Sequence, residues 1–432
     1  MRVTTFVTCA AAAVLTCQGA CNWTEFDDLA KDTWVDSTGK PDVKSADYGV
    51  AIQRGADASE SMQGGTLAVI GAGPGSYSEL AYSAAGSASL RASSLQLAAQ
   101  GIMTLDSPPI FLASPTSSEV ALITTGDNSS IVVATGSHTL LVRQLFTANT
   151  NLGTGAVKST TPDAATYMRP AAFPGGDANP GPAPIVAVGD VVMGTIYALP
   201  MNTQQPACKL ADGANPIQVR ALGAVPNATT PAIDDLLVWN GADGKLLRYD
   251  GSVFNGCTMK SPIALTSMAN TPAFTPGHGS QILKISDNRV LLQGHKDVTQ
   301  GDGSFLQVYD VQTMAPVGNP VAMPGLRSAA ILALGAESYV LAGYPTASVD
   351  GKSAGQVQVY KLTGAGIDSS KPTATLRDAQ PENNQQFGRS VAALPFNDTQ
   401  VIAVAADNEI FVYFRANQTD GPALYNETRQ GR

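Results

Sequence analysis

Apolar residues fall in short runs that end on or near a small residue, and these runs recur along most of the chain. They occupy positions 67–71 (LAVIG), 131–134 (IVVA), 185–189 (IVAVG), 236–239 (LLVW), 290–292 (VLL), 339–343 (YVLAG) and 401–405 (VIAVA), each about 50 to 63 residues after the last. A stretch that is apolar at every position predicts a strand covered on both faces. A second series follows after a turn: 194–197 (GTIY), 246–249 (LLRY), 305–309 (FLQVY), 357–360 (VQVY) and 410–413 (IFVY), with 140–143 (LLVR) and 89–91 (SLR) in the same phase. Its alternation of apolar and polar positions predicts half-buried strands. A third element precedes each run, at 48–52 (YGVAI), 110–112 (IFL), 172–173 (AF), 219–222 (VRAL), 273–274 (AF), 326–329 (LRSA) and 387–392 (FGRSVA). A fourth strand is expected in the less regular stretch between units, for example at 95–104.

Seven repeats of this length, each with room for four strands, predict an all-β chain: a seven-bladed β-propeller of four-stranded antiparallel blades over residues 47–416. Coils of a β-helix are much shorter. The composition agrees, since 42 glycines, 27 prolines and only 14% charged residues suit short strands and tight turns better than long helices. The formal charge of −9 excludes nucleic acid as the expected partner, because phosphate neutralisation needs clustered Lys and Arg. Whether the last blade closes by itself or borrows a strand from one terminus is left open by the pattern.

The start of the chain has a different character. Arg2 is followed by an apolar stretch to Thr16, too short to span a bilayer, and residues 1–20 read as a secretory signal. Gly19-Ala20-Cys21 resembles the lipobox of bacterial lipoproteins, in which the cysteine is acylated and becomes the first mature residue. The departure is Gln18, where that motif prefers leucine. Residues 21–46, with Trp23, Phe26 and Trp34 among several acids, are expected to be a tether, and 417–432 a tail. Two of the five cysteines, Cys208 and Cys257, then remain in the folded body. In an oxidising compartment they are expected to form one disulfide. Chain entropy gives such a bridge about 4 kcal/mol for a loop of about fifty residues.

The elements 387–392, 401–405 and 410–414 together resemble the FG-GAP repeat, which builds the propeller of integrin α-subunits and of many bacterial secreted proteins. Tyr48-Gly49-Val50-Ala51 with 67–71 is a fainter copy, and 326–329 with Gly343-Tyr344-Pro345 a third. The resemblance implies a calcium loop of alternating oxygens between the first two strands of a blade, since Ca²⁺ takes six to eight hard ligands. The chain departs from that pattern at Asn397-Asp398 and at Gly176-Asp177-Ala178-Asn179. Solvated turns are expected there instead, with no cofactor; Asp243 and Asp302 stand in Asp-Gly steps that read as hairpin turns.

Other chemistry is suggested only weakly. Gly71-Ala72-Gly73-Pro74-Gly75-Ser76 looks like a dinucleotide fingerprint, but serine stands at the third glycine and no acidic residue closes a βαβ unit. His138, His278 and His295 lie in different units, and no Gly-x-Ser-x-Gly elbow occurs. No catalytic, cofactor or metal residue is therefore assigned. Asp234-Asp235 would point to opposite faces of a strand. The Asn-x-Ser/Thr triplets at Asn22, Asn128, Asn227, Asn397, Asn417 and Asn426 reflect turn composition if the source is bacterial. The expected function is a monomeric, exported platform that binds a protein or glycan at the cell envelope, in contact with membrane only through a lipid on Cys21, with ordinary cleavage and release as a secreted protein the alternative. A propeller enzyme with a site in the central channel, or a structural envelope component, are the competing readings.

Overall fold

The computed structural model describes the backbone of strands between Val50 and Glu427, and residues 303–378 without interruption. Side chains are described there and within 221–227, 235–240, 245–250, 281–294, 381–393, 402–406, 411 and 413. Every helix or strand among the described residues is a strand.

Strand β1 (Val50–Gln53) stands first in the chain. The first sheet contains β2 (Leu67–Ile70), β3 (Tyr77–Ala84), β4 (Ser89–Leu97), β5 (Met103–Leu105) and β6 (Ile110–Ala113). The second contains β7 (Glu119–Thr124), β8 (Ser130–Gly136) and β9 (Thr139–Gln144). In the third are β10 (Tyr167–Pro174), β11 (Pro184–Asp190), β12 (Thr195–Pro200) and β13 (Cys208–Lys209). The fourth has β14 (Val219–Pro226), β15 (Asp234–Asn240), β16 (Lys245–Tyr249) and β17 (Ile263–Ala264). The fifth has β18 (Gln281–Ser286), β19 (Arg289–Lys296), β20 (Gly303–Asp310) and β21 (Ala315–Ala322). In the sixth, β22 (Ser328–Leu334) and β23 (Glu337–Tyr344) are followed by a separate hairpin of β24 (Ser348–Val349) and β25 (Lys352–Ser353). The sheet then resumes with β26 (Gln356–Thr363), β27 (Gly366–Ile367) and β28 (Ala374–Leu376). The seventh holds β29 (Ser390–Phe396), β30 (Thr399–Ala405), β31 (Glu409–Arg415) and β32 (Tyr425–Glu427), and β31 also pairs with β1.

All pairings within these sheets are antiparallel, and each sheet meets the next through its opening strand. In contact order these strands are β2, β7, β10, β14, β18, β22 and β29, and β29 packs back on β2. The cores lie between successive sheets. Val290, Leu292, Phe305 and Tyr309 pack toward the fourth sheet, while Leu291, Leu306 and Val308 pack toward the sixth. In the sixth sheet Val340, Ala342 and Tyr360 face back toward the fifth, and Tyr339, Leu341, Val357 and Val359 face on toward the seventh. Strand residues alternate between the two faces of a sheet, so a sheet covered on both needs apolar residues at every position. That is the physical content of the repeated apolar runs.

Four expectations require correction. Two of the third strands do not alternate buried and exposed: β16 is buried at every position but its first and β20 at all but its two ends, whereas β26 keeps Gln356, Gln358 and Lys361 half-buried between buried apolar residues, as expected. Stacked neighbours cover both faces, so the polar Arg248 and Gln307 are interior. Residues 48–52 do not open the first unit. Val50–Gln53 pairs with Glu409–Val412, at the outer edge of the last sheet, so the N-terminal segment lends a strand. Residues 110–112 lie in β6, which pairs with β4, and β7 opens the second unit. The fifth unit opens at Gln281–Ser286; residues 273–274 lie outside the described residues.

Candidate functional site

In an antiparallel sheet the connections alternate between its two ends. The first-to-second connections of the last three sheets are two residues each, at 287–288, 335–336 and 397–398. This end, the turn face, is closed by local bonds. Arg289 donates to the carbonyls of Thr363 and Gly364 at 3.2 and 3.3 Å, tying the fifth sheet to the sixth. Asp310 accepts from the Gln312 and Thr313 amides, and the Thr313 bond above all holds its carboxyl below the usual carboxylate range. Glu337 pairs with Lys361 and also accepts from the Tyr339 hydroxyl. Deeper, the buried Asp235 accepts from Arg248 Nε at 2.6 Å and from Asn227 at 2.7 Å, while Arg248 Nη1 reaches the Val311 carbonyl at 2.6 Å. Asp235 thus serves an interior ion pair that joins the fourth and fifth sheets.

The opposite end, the loop face, is built differently. The second-to-third connections are short at 191–194, 241–244 and 406–408, but in the sixth sheet residues 345–355 rise into the β24–β25 hairpin. Asp350 (φ 51°) and Gly351 (φ 78°) form its two-residue turn between the paired Val349 and Lys352. Left-handed conformations at both central residues give a type I′ turn, for which Asp-Gly is a preferred pair. Residues 381–389, leading to β29, lie against this hairpin. Lys352 Nζ donates to the Pro381 carbonyl at 2.8 Å, the Asn384 amide to Ser353 at 2.9 Å, and the Phe387 amide to Ala354 at 2.8 Å. Arg377 reaches the exposed Asp350 at 3.3 Å. Asn384 and Gln386 are also held at positive φ, 63° and 57°. Such conformations cost of order 1–3 kcal/mol each and persist only where surrounding bonds enforce them.

The residues of the family resemblance anchor this platform. The Phe387 ring is fully buried between the last two sheets, edge-on to Phe411 at 5.1 Å and to Tyr413 at 6.2 Å between ring centroids. Gly388 (φ +88°) presses its carbonyl against Gly343, where any Cβ would collide with it. The backbones approach this closely only because neither residue carries a side chain.

Polar side chains also stitch the loop face between units. Gln281 donates to Gln293 and to the Ala329 carbonyl at 2.7 and 2.6 Å, Gln293 to the Arg327 carbonyl at 3.0 Å, and Ser328 to the Gly388 carbonyl at 3.0 Å.

The residues singled out from sequence are not gathered into one place. Cys208 begins β13, its backbone paired with Ala198. Cys21 and Cys257 lie outside the described residues, as do His138, His278, Asp243 and Asp302. His295 is paired with Ser304 in β19–β20. Residues 71–76 join β2 to the antiparallel β3, a strand-to-strand connection and not the strand-to-helix turn that a dinucleotide site requires. Among the described residues no three His, Cys, Asp or Glu side chains come together as a metal site. The β24–β25 hairpin is not among the strands expected from sequence, although its Asp350-Gly351 step is a turn signal, and nothing in the composition of the segment before β29 marks it as the hairpin's partner.

No protein-family model matches the chain, and no curated protein matches it in sequence. The fold does have solved counterparts. The WD40 domain of Toxoplasma gondii coronin is similar over 89% of this chain and 91% of its own, with 12% identity and a TM-score of 0.50. A chain of the Chaetomium thermophilum Polycomb Repressive Complex 2 bound to GSK126 is similar over 85% of this chain and 98% of its own, with 8% identity and a TM-score of 0.52. WD40 repeats build β-propellers, and the fold of this chain is of that propeller type.

Proposed function

We propose that the chain is a seven-bladed propeller of the FG-GAP kind that serves as a rigid platform for binding a protein, exported and held at the cell envelope by a lipid on Cys21. One observation carries the binding role. A projecting hairpin and a polar loop are braced on each other over packed sheets, exposing Asp350, Lys352, Asn383 and Asn384 in fixed positions. Rigid scaffolds that present shaped loops suit recognition, since little order has to be acquired on binding. The seven opening strands in cyclic contact support the blade count, though only three strands of the second unit are described. The Phe387-Gly388 packing on Gly343 supports the FG-GAP kinship. Export rests on residues 1–20, and a Cys208–Cys257 disulfide belongs to the same reading. The protein acts as a monomer without a cofactor, and neither nucleic acid nor a membrane-spanning segment enters this reading.

A photo-crosslinking residue placed at Lys352, and separately at Lys284 on the turn face, tests the role in the native host. The Lys352 variant is expected to capture a discrete protein and the Lys284 variant not. The reverse pattern would overturn the assignment of the face. An intact mass of the mature chain that begins elsewhere than an acylated Cys21 would remove the anchor.

A further inference from the structure

Resting on the propeller reading, we infer that the loop face carries a collar of arginines that binds an acidic peptide segment of the partner. Four of the seven units have an arginine where the opening strand begins: Arg169, Arg220, Arg327 and Arg389. The ladders place three of them, Arg220, Arg327 and Arg389, at one register position, and Arg169 two residues further into its strand. The Arg327 amide bonds to the Gly343 carbonyl and the Arg389 amide to Ala405, each the last residue of an apolar run. Arg220 sits in the irregular step between the pairs Val219↔Asn240 and Ala221↔Trp239, beside the end of the run 236–239. Arg169 also sits in an irregular step, between Met168↔Gly189 and Ala171↔Ala187, beside the last residues of the run 185–189. Bulges commonly re-aim a residue beside a functional site.

The opening strands are the ones that touch from sheet to sheet, so their starts gather on one face around one axis. Arg169 and Arg220 begin neighbouring strands, and so do Arg327 and Arg389. Units one, two and five lack the residue, and the second opens instead on Glu119. The collar is therefore one-sided. In a chain of net charge −9, four of its 26 cations near the starts of opening strands concentrate positive potential where the rest of the molecule repels anions. Arg327 is exposed, and Arg389 is half-buried with its guanidinium donating to Gln386 at 2.9 Å. A guanidinium fork matches a carboxylate through two parallel hydrogen bonds, and arginines spaced along an arc suit successive acidic side chains of an extended peptide. The neighbouring hairpin supplies the polar rim.

The test uses the full chain and a fluorescein-labelled decaglutamate peptide, followed by fluorescence anisotropy at two salt concentrations. The peptide is expected to bind, and to bind more weakly as salt rises. Arg327→Gln should weaken it about two- to fivefold, the range for exposed charge pairs. The fourfold Arg→Gln variant should remove detectable binding, and Arg389→Lys should weaken it less than Arg389→Gln, since the charge stays and the paired fork is lost. Lys284→Gln and Lys361→Gln, on the turn face, should leave it unchanged. Binding that survives Arg327→Gln undiminished, or that falls equally with Lys284→Gln, overturns the collar. Arginine-dependent binding of a heparin oligosaccharide that is tighter than that of decaglutamate overturns the peptide in favour of a sulfated glycan. If the fourfold variant unfolds, the Arg327→Gln comparison decides, because that residue is exposed. A failed collar leaves the Lys352 crosslinking result untouched, so the two readings fail separately.

Discussion

At the residue scale the interior is stitched by polar groups whose value lies in being paired. Asp235 and Arg248 are both buried, and each satisfies the other together with Asn227 and the Val311 carbonyl. Taking two charges out of water is costly, and their attraction only about repays it when the remaining bonds are made. Removing one partner is a different matter, since it strands the other charge in the core. Asp235→Ala is therefore expected to destabilise by about 3–5 kcal/mol in chemical denaturation, whereas Asp235→Leu with Arg248→Met should recover most of that loss. An Asp235→Ala variant as stable as the parent would show that water reaches Arg248. Gln307 meets a similar need by other means. Its amide donates to the Val317 and Gly318 carbonyls, opposite the irregular step in the β20–β21 ladder, so a polar residue in a buried strand supplies bonds that the ladder omits.

At the element scale the last sheet shares its outer edge between the two ends of the chain. Val50–Gln53 pairs with Glu409–Val412, and Tyr425–Glu427 continues along the same strand at Tyr413–Arg415. An unpaired edge invites pairing with another chain. Replacing residues 50–53 by Gly and Ser is expected to lower the thermal unfolding midpoint by several degrees and to promote concentration-dependent association in light scattering; unchanged behaviour in both would mean that this strand closes nothing. The arrangement also explains what the sequence could and could not disclose. Residues 50–53 have the same apolar character as a true opening strand, and period alone cannot tell a strand that starts a unit from one that ends the ring. Third strands such as Leu246-Leu247-Arg248-Tyr249 were placed correctly by their phase. Their burial was misjudged, because a polar residue in a strand is read as exposed unless its buried partner is known. The loop platform was harder still: Asp350-Gly351 marks a turn, yet the bond from Lys352 to Pro381 joins segments far apart in the chain. The recurring arginine was readable, but only knowing that opening strands meet one another makes it a collar.

At the scale of the whole molecule, stability resides in the contacts between sheets, and the tyrosines that recur near the ends of third strands, with Tyr344 at the end of the second strand β23, sit in those contacts. Burial pushes the Tyr249 hydroxyl up to about 12 and raises Tyr309 and Tyr344 further, with Tyr360 raised as well. A phenol whose pKa is raised on folding binds its proton more tightly in the folded state. Its contribution is thus fully present below the ordinary tyrosine value near about 10 and is lost as pH rises through the raised values. Stability is expected to be flat with respect to these groups at neutral pH and to fall steeply above about pH 10, by up to about 1.4 kcal/mol per pH unit for each tyrosine still protonated in the fold. Tyrosinate absorbance should accordingly appear together with loss of near-ultraviolet circular dichroism; buried tyrosines that titrate near pH 10 in an intact fold would refute the interface account. Tyr309 gives the sharpest case. Its hydroxyl is buried without a hydrogen-bond partner among the described residues, so Tyr309→Phe removes an unsatisfied polar atom while keeping the ring in the core between the fourth and fifth sheets. That variant should be at least as stable as the parent at neutral pH and should lose less stability in alkali. If Tyr309→Phe is instead destabilised at neutral pH, the hydroxyl is bonded in solution, and an internal water joining the two sheets becomes part of the fold.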